Sequence, residues 1–230
     1  MIIKNCLVLL MFLLLAACSN TVENSHETLP VKDSVDTTTS TPKYIDSSFS
    51  MPKTKKMMAE NSYWALVEKA KKSSDDLNMQ ADFLQKELEQ MTAEDIIGFR
   101  LRTDKLMAET YTSDMWCAAY IANQGASDDG FEYFRLWLIA QGKEVFMKVK
   151  SRPDNLVNYA QPGVELEFEP FWYVALNAFS EKTGHVLYDY IDNSFAEQEG
   201  YYKPITFTWK EEEPETMRKI CPRLFAKFMK

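Results

Sequence analysis

Three carboxylates and two guanidinium groups fall where a helical repeat puts carbon. Arg100 and Asp104 are four residues apart, as are Asp128 and Glu132, and Arg135 follows three further on. At 100° per residue these spacings keep side chains on one stripe of a helix. In Asp128–Ile139 (DDGFEYFRLWLI), Asp128, Glu132, Arg135 and Ile139 share that stripe. Phe131, Phe134 and Leu138 flank it, and Tyr133, Leu136 and Trp137 cover the rest. A helix apolar almost all round is a buried one. Its charges then need partners, because an unpaired buried charge costs several kcal/mol. The third helical stretch, two helices earlier, supplies them. Its apolar arc holds Ile96, Phe99, Leu106 and Met107, and Arg100 and Asp104 project inside that arc. The expectation is one internal or cleft-lining cluster of Arg100, Asp104, Asp128, Glu132 and Arg135.

Two guanidinium groups suit a carboxylate or phosphate on a ligand. Two of the carboxylates, with pKa values pushed apart, could instead serve as acid and base across a cleft. The same residues also fit a structural ion network, with Asp128 and Asp129 favouring a helix N-terminus through its dipole. No residue is assigned a catalytic role. Trp116, Tyr120, Tyr133, Trp137, Trp172 and Tyr173 could wall a pocket or fill a core. No G-x-S-x-G is present, so a serine hydrolase of that kind has no support. No cofactor is expected. No metal is expected either, since His26, His185, Cys117 and Cys221 are the residues left for a Cys/His site and His26 sits on a tether. Cys117, in the apolar run Trp116–Tyr120, reads as a buried thiol, although a bond to Cys221 stays open.

Helical elements must position these residues. Residues 61–73 and 75–90 carry apolar side chains at helical spacing. Thr92 with Asp95 three residues on is a near capping box, opening a helix to about Tyr111. Ser113 and Asp114 start a helix ending at Gly125, and Ser127 starts one closed by Gly142. Lys143–Lys150 follows, then Phe171–Lys182 with Gly184 placed as the left-handed cap. Glu215–Phe228 is interrupted by Pro222, and residues 201–209 (YYKPITFTW) read as an extended pair or a loop. The fold class is mainly α: a single multi-helix domain with that one candidate pair, preceded by a signal peptide and a flexible tether.

The chain has 230 residues and a formal net charge of -8, from 26 Lys and Arg against 34 Asp and Glu. Such a balance repels a phosphate backbone, so no nucleic acid partner is expected. Lys4 precedes the apolar run Leu7–Leu15, which is too short to span a bilayer and fits a secretory signal. Leu15-Ala16-Ala17-Cys18 resembles a bacterial lipobox. That resemblance implies a signal peptide over 1–17, thioether lipidation of Cys18 and acylation of the new terminus. Two or more chains anchor stably. Ser19 favours the outer membrane over inner-membrane retention. Residues 18–57 are then the lipidated cysteine and a Ser/Thr-rich disordered tether. Phe12, Tyr44 and Phe49 are the only aromatic residues ahead of Tyr63, which puts the helical globular domain at 58–230.

Tyr63–Val67, Met115–Tyr120 and the long run Ser127–Ile139 resemble the bacterial "domain of unknown function 4240" family, as do Phe171–Gly184 and Pro222-Arg223-Leu224. The resemblance implies a domain of unknown function and no mechanism. Its members are mostly cytoplasmic, and the leader and tether depart from that pattern.

The expected function is a membrane-anchored lipoprotein of the bacterial cell envelope. Its helical domain would bind a small polar ligand or an envelope protein in a cleft between the third and fifth helices. The alternatives are an envelope hydrolase using paired carboxylates, and an immunity-type inhibitor whose acidity steers a basic toxin.

Overall fold

Asp76, Thr92, Thr112 and Ser127 each accept a backbone N–H from the residue three positions on, and each opens a helix. A side-chain oxygen in that place satisfies one of the orphan donors of the first turn. In the computed structural model, which describes residues 48–199 and 203–229, the helices run α1 (Glu60–Ser73), α2 (Leu77–Glu89), α3 (Ala93–Glu109), α4 (Ser113–Asn123), α5 (Asp128–Ala140) and α6 (Lys143–Ser151). After a 3-10 turn at Pro153–Asn158 come α7 (Pro170–Thr183), a second such turn at Leu187–Tyr190, α8 (Ser194–Glu199), α9 (Pro214–Ile220) and α10 (Pro222–Phe228). All the described residues lie in one unit, Pro42–Lys230. The leader, Cys18 and the tether as far as residue 47 lie outside the described residues.

The protein is mainly α, as the helical period requires. Gly184 caps α7 in the left-handed region (φ 74), which only glycine enters freely. Pro222 sits at the first turn of α10, where its missing N–H costs nothing, and so divides the C-terminal helix in two. The extended pair near 201–209 does not form among the described residues. Residues 203–207 have no regular structure, and the one bridge nearby joins Lys210 to Glu213. Trp209 explains this: it is buried and its indole N–H donates to Ser113 O (2.9 Å), so the segment is held by side chains rather than by a ladder.

Core packing centres on α3, α5 and α7. Ile96, Ile97 and Leu101 from α3, Phe131, Phe134, Leu136, Leu138 and Ile139 from α5, and Ala178 and Phe179 from α7 are all sealed from solvent. Tyr63 and Trp64 anchor α1 there, with the Tyr63 hydroxyl bonded to Thr103 Oγ1 at 2.9 Å.

Packing also begins earlier than the composition-based boundary at 57. Phe49 meets the rings of Phe179 and Tyr190. Thr54 N–H donates to Tyr190 O, and Asp192 N–H donates to Thr54 O, both at 2.9 Å. Met58 N–H donates to Gly98 O at 2.8 Å. A Cβ on Gly98 would lie 2.9 Å from Met58 N, so glycine on α3 is what lets this strap approach.

Candidate functional site

Arg100 leaves α3 at its middle and is 2% exposed. Its Nε lies 2.8 Å from Asp104 Oδ1, in contact but without the alignment of a hydrogen bond. Nη1 donates to Trp172 O (3.1 Å), and the guanidinium carbon lies over the Trp172 ring, 3.6 Å from its centroid. The Tyr188 ring is also beside it, with its centroid at 5.4 Å. Delocalised charge, planarity and five donors make arginine the cation that can be stacked and bonded at once.

Arg100 and Asp104 form the floor of a cleft of about 440 Å³. Leu101, Trp172, Tyr188, Ile191 and Phe195 make its walls, with Asp192 and Asn193 as the further polar groups. That volume and mix of lining match small-molecule sites in general. The cleft lies between α3, α7 and residues 188–196, and not between α3 and α5. On the α5 side Phe131, Phe134, Leu136 and Leu138 are completely buried.

The five expected residues part company accordingly. Glu132 is half-buried and within charge range of both Arg135 and Arg100. Burial raises its pKa, the two arginines oppose that, and Asp129 adds to it, so the net shift is upward. Arg135 is 4% exposed. Its Nη1 donates to Met107 O (2.8 Å) and its Nε to Phe131 O (3.2 Å), with the rings of Phe131 and Tyr111 beside it. It ties α5 to the end of α3. Asp128 is exposed at the first turn of α5 beside Asp129, where the helix dipole favours a carboxylate. Arg100, Asp104 and Glu132 with Arg135 are thus brought into one electrostatic neighbourhood, and Asp128 stands outside it.

Tyr188, Ile191, Asp192 and Phe195 were not readable as site residues. They lie on a short turn and its continuation, where no period marks a face. The aromatic run Tyr188-Asp189-Tyr190 was the only signal. Among the described residues no group of His, Cys, Asp and Glu could hold a metal ion, and no helix is long and apolar enough to cross a membrane.

A helical domain with an arginine-floored apolar cleft is thus the class that fold and site define. The chain belongs to the DUF4240 family of proteins of unknown function, whose model matches residues 58–181, more than half of the chain. That range holds Arg100, Asp104 and Trp172 and ends ahead of Tyr188 and of Pro222-Arg223-Leu224. No curated protein and no solved structure matches the chain.

Proposed function

We propose that this chain is a lipid-anchored protein of the bacterial envelope whose helical domain binds a small polar ligand in the Arg100 cleft. The cleft carries the reading: a buried guanidinium, paired with Asp104 and set against Trp172, forms the floor of a largely apolar cavity open to solvent. Desolvating a cation this far costs stability unless something else is gained. The leader, the Leu15–Cys18 motif and the tether support anchoring at Cys18, with the outer membrane favoured by Ser19.

A fragment screen on the ¹⁵N-labelled full chain tests the cleft. Hits should shift the Trp172 indole resonance and weaken in Tyr188→Ala. Hits that gather elsewhere and leave Trp172 unmoved overturn the reading. Palmitate labelling of wild type against Cys18→Ser tests the anchor. Glu132, whose pKa is raised by burial, does not line the cleft, so the hydrolase alternative would have to rest on Asp104 and Asp192 instead.

One observation supports a second reading, an acidic face that docks a basic protein. Asp128, Asp129, Glu165 and Glu169 are exposed. Glu167 reaches the start of α5 at Gly130, and its pKa is raised by burial and then by Glu165 and Glu169. Asp129→Lys with Glu165→Lys should then abolish a salt-sensitive complex and leave cleft binding intact.

A further inference from the structure

The donors left over on Arg100 narrow the ligand class. A guanidinium has five N–H groups. Nε faces Asp104 and Nη1 donates to Trp172 O, while Nη2 has no partner among the described residues. Of the Arg100 nitrogens, Nε alone is sealed off without a hydrogen bond. Nη2 therefore meets solvent, and on a residue 2% exposed that solvent is the cleft's. The cleft offers a ligand an unused, charge-assisted donor at its floor.

Charge around this donor is already balanced. Arg100 has Asp104 at 2.8 Å. Asp192 accepts from Ser194 N at 2.9 Å, and the exposed Lys55 and Lys53 lie within its charge range. An anionic ligand would approach Asp104 and Asp192, and a cationic one would approach Arg100. Neither sign is short of a counter-charge here. The rim, through Asp192 and Asn193, adds acceptors, and the walls are hydrocarbon and aromatic. One acceptor, one donor, no net charge and an apolar side group describe an amide.

Resting on the reading of this cleft as a ligand site, we propose that it takes an uncharged amide carrying an apolar side chain. The amide carbonyl accepts from Arg100 Nη2, and its N–H turns to the rim. A capped hydrophobic amino acid has this chemistry and fits about 440 Å³.

Three probes of one shape and different charge test it: N-acetylphenylalaninamide, N-acetylphenylalanine and phenylalaninamide. Each is titrated into the ¹⁵N-labelled full chain, reading the Trp172 indole resonance assigned with Trp172→Phe. The neutral amide should bind at least about tenfold tighter than either charged probe, a difference of about 1.4 kcal/mol. Asp192→Asn keeps an acceptor for Ser194 N and removes one negative charge, so it should strengthen the acid several-fold relative to the amide. If the acid or the amine binds as well as the amide, the inference falls and the cleft remains a ligand site. If none of the three moves Trp172 up to about 10 mM, a Kd weaker than roughly -3 kcal/mol of binding, both fall together.

Discussion

Asp154 grips Arg223 by side chain and main chain together: Oδ2 accepts from Arg223 Nε at 2.8 Å, and Oδ1 accepts its backbone N–H at 3.0 Å. The same Oδ1 takes the N–H of Leu224 at 3.0 Å. One carboxylate, 1% exposed, thereby caps the start of α10 from a turn 69 residues earlier. Burial pushes its pKa up. The Arg223 side-chain bond, the Leu224 N–H and the Arg223 charge outweigh that and leave it below the ordinary 3.8. Asp154→Ala should cost about 2 kcal/mol, since a cap and a charge-assisted bond are lost while the half-exposed Arg223 can rehydrate. A depressed carboxylate stabilises the fold above its unfolded pKa and loses that contribution as pH falls through the lower folded value. The stability gap between wild type and Asp154→Ala should therefore be full above about pH 4 and shrink in stronger acid. Urea melts at several pH values measure it, and a gap that does not change with pH contradicts the assignment.

The Arg100–Asp104 pair should show the asymmetry of buried ion pairs. Both side chains are under 10% exposed. Asp104→Leu alone leaves the nearly buried guanidinium on the cleft floor without its carboxylate and should cost about 3 kcal/mol. Arg100→Met together with Asp104→Leu should recover most of that loss, because no charge is then left unmatched. A double-mutant cycle by denaturant unfolding reads this directly. Additive losses would mean that the two charges are supported separately.

The helices were legible because their signals are local. Thr92 and Ser127 cap within three residues, and Gly184 needs only its own backbone to close α7. The site was legible in part. Spacing identified Arg100 and Asp104 as misplaced charges, and they meet. It could not show that Arg135 answers to carbonyl oxygens of Met107 and Phe131, since every residue carries a carbonyl and none is marked in sequence. Nor could it show the cleft wall. Ile191 is set in place by backbone pairing with Thr54, 137 positions away, inside a stretch whose Ser and Thr content reads as tether.

Glu132 and Arg135 lie on one helix stripe and should respond in opposite ways. A carboxyl whose folded pKa is raised holds its proton longer in the folded state. Its contribution therefore favours folding at low pH and is lost as pH rises through the unfolded value and on to the folded one. Glu132→Gln removes that penalty and should leave stability at pH 7 within about 1 kcal/mol of wild type, or higher. Arg135→Ala strips donors from two buried carbonyls and opens a cavity beside Phe131, and should cost about 3 kcal/mol or more. Equal losses in both variants would restore the single network that the spacing alone suggests.

Cys117 and Cys221 are free thiols, both fully shielded from solvent. A hydrogen bond to Cys117, and then burial, push the Cys221 pKa up, so neither property that makes a cysteine reactive is present. Reaction with a disulfide reagent must wait for opening of the packing between α4 and the α9–α10 junction. Native thiols should therefore react roughly 10³-fold or more slowly than those of the urea-unfolded chain. The rate is taken as the difference between wild type and Cys117→Ala with Cys221→Ala, so that Cys6 and Cys18 cancel. A fast native phase confined to one of the two would show that the C-terminal helices open on their own. Failure of either thiol to react even when unfolded would show the two sulfurs already joined.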